Sequence, residues 1–363
     1  MTGLIVTDAS ASTSIMPTLV SNPPNPWATT DVTYFDETRE TRLEIFEDDT
    51  RSILSKNASP SVGFEFSVNP YRGCQHACAY CEARRRHELL GFGAGTDFDT
   101  KIVVKPRAAQ LLRGAFEAPS WKGDVVVFSG ATDCYQPLEA SYRLTRACLE
   151  VCAEYRNPVA IVTKGALIER DLDVLRRLNE EARVTVSISI PIFDPVAARA
   201  IEPLVPSPQR RISIIRKLAD AGIDVGISIA PMILGLGEEG MTAMLAAAKD
   251  AGARRAVLSF LRLPSPVDHV FVERLREVLP LRAAKIMARA KETIDVSSAS
   301  LVRREKGSRH SSVVDALFAL TCRRLGLAYS TAGDDHANTP NAGPMELRTF
   351  TRPTRPGRQL RLF

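Results

Sequence analysis

No run in this chain approaches the roughly 20 apolar residues that a membrane-spanning helix needs. The opening, MTGLIVTDASASTS, has no basic start and no long apolar stretch, so it lacks the pattern of a secretory signal. The expectation is a cytoplasmic protein with no membrane partner. Cysteine is sparse outside one spot. Cys74, Cys78 and Cys81 cluster, whereas Cys134, Cys148, Cys152 and Cys322 are scattered. An odd count of seven, expected in a reducing compartment, does not read as a disulfide framework. No internal repeat appears beyond an alternation of strands and helices. Neither sign of charge dominates: 47 Lys and Arg face 42 Asp and Glu, for a net charge of +5. That balance mildly favours an anionic partner, and a surface rich in Lys and Arg gives it equally well without one.

What is present is a regular alternation. Residues 1–49 hold SNPPNPWATT and many Ser and Thr, and are expected to form an irregular arm. RLEIF (42–46) and RSILS (51–55) read as short ordered pieces. Strands are expected at FEFSVN (64–69), VVVF (125–128), AIVT (160–163), VTVSISI (184–190), VGISIA (225–230) and AVLSFL (256–261). Most are continuous and rich in β-branched residues, as strands buried on both faces are. Helical spacing marks 138–155 and 170–182. Asp194 before Pro195 is a cap followed by a first turn, and 241–252 ends on a helix-stopping Gly252. This order predicts parallel β-structure with right-handed crossovers. About six units fall short of the eight of a closed barrel, so the fold expected over 50–264 is α/β, an open, partial β/α barrel. Helices at 269–280, 282–294 and 311–327 form a C-terminal extension (265–331), expected to cover the open side. Residues 332–363 read as a mobile basic tail.

The stretch NPYRGCQHACAYCEA (69–83) carries the chemistry. Its spacing is C-x3-C-x2-C, with Tyr80 before the last thiol. Structural zinc sites usually take four ligands, often as two separated pairs, and no second pair follows. His76 or His87 could supply a fourth, so zinc stays open. The other reading is a [4Fe–4S] cluster held by three thiolates, which leaves one iron free for a small chelating molecule.

This spacing, its aromatic and its place after the first strand resemble the radical S-adenosylmethionine superfamily. The resemblance implies two cofactors, a [4Fe–4S] cluster on Cys74, Cys78 and Cys81, and S-adenosylmethionine chelated at the open iron. It implies reductive cleavage to methionine and a 5′-deoxyadenosyl radical that takes a hydrogen atom from substrate. A reductant such as flavodoxin or ferredoxin is implied as a partner. The cofactor is expected at the C-terminal ends of the strands. In FSGATD (128–133), Ser129, Gly130 and Asp133 stand where relatives commonly carry Gly-Gly-Glu for the methionyl amino group. Lys164 in VTKG would meet the cofactor carboxylate, and its alternative is a solvated lysine. Ser187 and Ser189 share one face of their strand and could bond a ribose or carboxylate, or simply the backbone. In APMILGLGEEG (230–240), Ile233, Gly235 and Glu238 match part of the family's adenine motif G-x-I-x-G-x-x-E, with Pro231 where its first glycine would stand. Tyr80 would contact the adenine from the cysteine loop.

NPYRGCQHACAYC, TDCYQPLE (132–139) and VTKG together resemble the spore photoproduct lyase-like branch, over roughly residues 50–327. That branch implies lyase-type chemistry on a DNA lesion, that is, DNA repair. Cys134 lies near the place of the branch's hydrogen-donating cysteine, a few residues beyond it; the alternative is an inert buried thiol. RRRH (84–87) and later basic pairs could hold phosphates, and solvated helix faces explain them at least as well. The chain ends in GRQLRLF. Gln359, Leu360, Leu362 and Phe363 resemble the short motif by which repair proteins dock on the DNA sliding clamp. Three readings follow: a radical enzyme acting on DNA, a radical enzyme acting on a peptide or small metabolite, and a non-enzymatic iron–sulfur or zinc protein.

Overall fold

The computed structural model describes residues 18–20, 43–57, 64–129, 131–293, 309–331 and 349–353. Its strands are β1 (Thr18–Val20), β2 (Glu44–Glu47), β3 (Leu54–Lys56), β4 (Phe66–Val68), β5 (Tyr71–Arg72), β6 (Lys101–Val104), β7 (Val126–Phe128), β8 (Val159–Thr163), β9 (Val184–Ser189), β10 (Asp224–Met232), β11 (Arg255–Phe260) and β12 (Ala328–Thr331). Its helices are α1 (Ala83–His87), α2 (Thr96–Thr100), α3 (Ala108–Glu117), α4 (Glu139–Tyr142), α5 (Leu144–Glu154), α6 (Leu172–Glu181), α7 (Pro195–Ile201), α8 (Pro208–Asp220), α9 (Met241–Asp250), α10 (Val267–Val278), α11 (Pro280–Thr293) and α12 (Arg309–Leu325).

β4, β7, β8, β9, β10, β11 and β12 lie side by side in chain order, all parallel. β3 pairs antiparallel on the β4 edge. Strands that follow in sequence order with helical crossovers curl into an open barrel. The partial barrel expected from the sequence is therefore present, with one parallel strand more than anticipated. The extra strand is β12, which makes the 265–331 segment more than a helical cover. α12 packs on α9, β11 and β12, as a crossover helix does.

The apolar residues of the strands point one way. Val126, Phe128, Ile161, Val186, Ile188, Ile227 and Ile229 join Leu112, Phe116, Leu149, Leu175, Ile214 and Leu218 of the helices in one core. By the period of two, Ser67, Thr185, Ser187, Ser189 and Ser228 fall on the opposite, concave face. Small hydroxyl side chains there leave the barrel's inner face unfilled by bulky groups.

Two expectations about the ends of the chain need correction. The N-terminal arm contributes strands: β1 pairs with β2, β2 with β6, and β6 with β5, in a second, four-stranded sheet. β5 is the entry to the cysteine stretch, so this small sheet carries it. The tail is docked over Thr349–Pro353. Phe350 lies against Phe116 and Tyr155, with ring centroids 5.9 and 6.2 Å away. Arg352 donates to the carbonyls of Phe116, Ala118 and Trp121 at 3.0, 2.8 and 3.1 Å, at the end of α3 and in the turn that follows it.

The helix expected over 138–155 is two. Arg143 takes a left-handed φ of 53°, and the Glu139 carboxylate accepts from the N–H groups of Thr145 and Arg146 at 3.0 and 3.2 Å, capping a new start. Asp194 caps α7 as expected, accepting from Ala197 N–H at 2.6 Å. Among the described residues, no helix is long and apolar enough to cross a membrane.

Candidate active site: the cysteine loop at the strand ends

The cysteine loop leaves β5 at Gly73, whose φ is +78°. A Cβ there would come within 2.9 Å of the Lys101 carbonyl oxygen, so glycine is required. The loop then turns tightly: Cys74 N–H bonds the Phe98 carbonyl at 2.9 Å, and Cys81 N–H bonds the Cys78 carbonyl at 3.3 Å. Cys74 and Cys78 are buried and Cys81 is half-buried.

The first half of the loop is fastened by residues 131–139, group by group. Ala131 N–H bonds the Asn69 side-chain oxygen at 2.8 Å. The Thr132 hydroxyl donates to the Tyr71 carbonyl at 3.0 Å. Gln136, fully buried, accepts from Gln75 N–H at 3.0 Å and donates to the Gly73 carbonyl at 3.2 Å, gripping both sides of Cys74. Glu139 takes the Tyr71 hydroxyl. TDCYQPLE is thus the cradle of NPYRGC.

The second half is held by buried charge. Arg84 is 1% exposed. It donates to the carbonyls of Cys78, Ala94 and Gly95 at 3.0, 2.9 and 2.8 Å, and to Asp99 at 2.7 Å. This arginine is therefore structural and unavailable to a phosphate, whereas Arg85 and Arg86 are exposed. The Tyr80 hydroxyl bonds Glu202, which in turn pairs with Arg211 at 2.6 Å. Sequence reasoning missed Gln136, Glu202 and Arg211, because each meets the loop only through the fold, and it read Arg84 within RRRH as a possible phosphate contact where it fastens the loop.

Burial pushes all three thiols up in pKa, and for Cys74 the neighbouring Asp133, Cys78 and Cys81 add to it. Thiolates are thus disfavoured here unless a metal centre compensates their charge. His87 lies against Phe92 and Phe98, with ring centroids 5.2 and 5.5 Å away. His76 Nδ1 faces Asp133 at 3.3 Å. Among the described residues, no three His, Cys, Asp or Glu side chains converge as ligands of one ion would. A cubane asks for less, since each thiolate takes a different iron.

The strand-end residues fall around this loop. Asp133 is saturated: it accepts from Thr163 Oγ1 at 2.6 Å, Lys164 N–H at 2.7 Å and Tyr135 N–H at 2.9 Å. Burial alone would raise its carboxyl, but His76 and these donors outweigh it and hold it down to about 2. The Ser129 hydroxyl accepts from Cys134 N–H at 2.8 Å within its own turn. Gly130 lies outside the described residues. Lys164 holds its ammonium 5.7 Å from the centre of the Tyr80 ring. Burial lowers its pKa, yet the negative groups Cys78, Glu202 and Asp133 turn the balance upward. Among the described residues this ammonium has no hydrogen-bond or ion-pair partner, and the Ser187 hydroxyl has none either. Ser189 Oγ donates to the Ala230 carbonyl at 3.1 Å.

Ile233 is fully buried in the same apolar cluster as Cys78, Tyr80 and Ile192. Gly235 and Glu238 do something unforeseen. Glu238 accepts from Gly235 N–H at 2.7 Å and pairs with Arg289 of α11 at 2.8 Å. A Cβ on Gly235 would lie 3.1 Å from Ile286, so the glycine admits α11. α10 and α11 close over this end and contribute Phe271, Leu275 and Ile286 to the cluster around Tyr80. Cys134 packs in the main core with Val68, Phe128 and Tyr135, and burial raises its thiol well above the usual range. That is the setting of an inert thiol.

The model of the radical SAM superfamily matches residues 68–248, from β4 to α9. The chain belongs to this superfamily. A Mycobacterium tuberculosis protein described as uncharacterized is 39% identical over 192 residues, covering 52% of this chain and 56% of that protein. A Methanocaldococcus jannaschii protein, also described as uncharacterized, is 29% identical over 192 residues, covering 53% of this chain and 69% of that protein. The chain thus spans little more than half the length of the first of these relatives. Among solved structures, a spore photoproduct lyase variant with bound AdoMet and dinucleoside spore photoproduct superposes with a TM-score of 0.57 at 15% identity, over 79% of this chain and 81% of that one. A spore photoproduct lyase complexed with dinucleoside spore photoproduct gives 0.55 at 15% identity. At this identity the likeness establishes the fold.

The family's cofactors are a [4Fe–4S] cluster and S-adenosylmethionine, and the residues here fit both. Two buried thiols and a half-buried one on one tightly fastened loop suit a cluster with one open iron. A cation and a hydroxyl with unspent hydrogen-bonding capacity, at the adjoining strand ends, suit an amino-acid headgroup.

Proposed function

We propose that this chain is a radical S-adenosylmethionine enzyme that acts on DNA, at a damaged or modifiable base. The observation that carries the radical chemistry is Lys164, an unspent ammonium set over Tyr80 beside the three-cysteine loop. When bound, the cluster and S-adenosylmethionine supply a 5′-deoxyadenosyl radical able to take a hydrogen atom from substrate. The chain's own residues do the rest. Cys74, Cys78 and Cys81 ligate the cluster. Lys164 and Ser187 receive the cofactor's carboxylate or ribose. Tyr80 and Ile233 bound the adenine. Asp133, already saturated, fixes the Lys164 backbone, and α10 and α11 keep water from this end.

DNA as substrate is supported by the lyase-like fold and by the C-terminal QLRLF. Gln359, Leu360, Leu362 and Phe363 lie outside the described residues, yet the strap before them is fixed. Thr351 N–H bonds the Tyr155 carbonyl at 2.9 Å, just before β8 begins. The described strap therefore lies at the end of the barrel opposite the cysteine loop. The test is cofactor cleavage by reduced, reconstituted protein with lesion-bearing DNA, undamaged DNA and short peptides. Lesion-bearing DNA is expected to raise 5′-deoxyadenosine formation and to be altered itself. Stimulation by peptide but by no DNA overturns the assignment. Deletion of residues 358–363 is expected to abolish clamp binding and leave cofactor cleavage intact.

A further inference from the structure

Glu202 and Arg211 form an ion pair that is 1% and 0% exposed, at the cofactor end of the barrel. Such a pair is a weak device for stability, because desolvating both charges offsets their attraction. Its bonds instead run across the site. On one side Glu202 takes the Tyr80 hydroxyl, and next to it the Ile201 carbonyl accepts Ala79 N–H at 3.1 Å. On the other side Arg211 donates to the Ser189 carbonyl at 2.7 Å, at the end of β9. Ser189 continues to the end of β10 through the Ala230 carbonyl. One chain of bonds thus joins the cysteine loop, the end of α7, the start of α8 and two strand ends.

We propose that Glu202 and Arg211 are positioning residues for S-adenosylmethionine: they set the gap between the Tyr80 ring and the ends of β9 and β10. The pair is electrically neutral, so it fixes this gap without adding a net charge to compete with Lys164 for the cofactor's carboxylate. The proposal rests on the family reading that places the adenine at Tyr80. It assigns the spacing of that pocket to two residues that never touch the cofactor.

The test uses the anaerobically reconstituted full chain as wild type, as Tyr80→Phe, and as the double variant Glu202→Met with Arg211→Met. Tyr80→Phe cuts the bond and keeps the ion pair. The double variant removes both charges together, which avoids stranding one of them in the core. Iron content, the thermal midpoint, and the cofactor-induced change in the reduced cluster's EPR signal are measured for each. Both variants are expected to load iron as wild type does, while the Kd for S-adenosylmethionine rises about tenfold. A merely structural role lowers the midpoint and leaves the Kd alone, and equal affinity in either variant overturns the proposal. Loss of iron from Tyr80→Phe also overturns it, because the pair then holds the cluster. A wild type that loads iron but shows no response to the cofactor overturns the family reading, and this proposal with it.

Discussion

Arg352 and Lys164 are both cations set against an aromatic ring, at opposite ends of the same sheet. Arg352 lies 5.2 Å from the centre of Phe350, and Lys164 lies 5.7 Å from that of Tyr80. Arg352 spends its donors on three backbone carbonyls. Around it, Trp121 donates to Asn157 at 2.9 Å, and Asn157 donates to the carbonyls of Asp124 and Pro158 at 3.1 and 3.0 Å. Lys164 spends none of its ammonium donors among the described residues. The acids that could have quenched it are claimed: Asp133 by three donors, Glu202 by Tyr80 and Arg211. A half-buried cation with idle donors is ready for an anionic partner. The two ends thus differ in whether polar groups are used up, and that difference marks the functional end better than charge does.

The largest expected effect separates the ends outright. Cys78→Ala abolishes the iron–sulfur absorbance of reconstituted protein, whereas Phe350→Ala keeps it; loss in both variants breaks the comparison. Lys164→Ala comes next. Losing a charge-assisted hydrogen bond is expected to weaken S-adenosylmethionine binding by about 1.5–3 kcal/mol, roughly ten- to hundredfold. The urea midpoint of the apoprotein should stay put, and a drop in it would show that the ammonium was spent within the protein after all. Phe350→Ala should reverse the pattern, costing about 2 kcal/mol of stability with unchanged cofactor affinity.

A pH series sharpens the picture beneath the cysteine loop. Burial pushes the His87 imidazole from 6.5 down to about 4, with the backbone around Asp97 opposing it only in part. The folded pKa is the lower one, so the unfolded chain binds the proton first. Stability is full above pH 6.5 and falls as pH drops toward 4. At pH 5 the loss is about 2 kcal/mol. Urea unfolding at pH 7 and pH 5 should show it in wild type, and His87→Phe should remove it. A difference of the same size in the variant contradicts the assignment.

The parallel strands were legible because strands covered on both faces are written as continuous apolar runs. β12, AYST, has no such run, and its place follows only from its pairing with β11. β6 and β1 escaped because their partners are distant in sequence, whereas RLEIF reads as an ordered piece and holds most of β2. The cysteine loop was legible from local spacing alone. Its supports were not: Gln136 lies some sixty residues beyond the loop and Glu202 over a hundred. No local pattern marks them, since neither is spaced for a helix face or a ligand set. The strap failed for another reason. Thr- and Arg-rich sequence suggests mobility, yet an irregular segment packs well when an aromatic such as Phe350 finds an aromatic cluster and an arginine finds backbone carbonyls. The partial match at Ile233, Gly235 and Glu238 located a real turn, although Gly235 admits a helix and Glu238 bonds α11.

The central claim is that three thiols and an unspent lysine at one end of this barrel hold a cluster and S-adenosylmethionine. The most direct measurement is 5′-deoxyadenosine formed under strict anaerobiosis from S-adenosylmethionine and dithionite. The protein is reconstituted with iron and sulfide, as wild type and as Cys78→Ala. Formation by wild type and none by Cys78→Ala is the predicted result. A wild type that carries its full complement of iron and forms no 5′-deoxyadenosine contradicts the account.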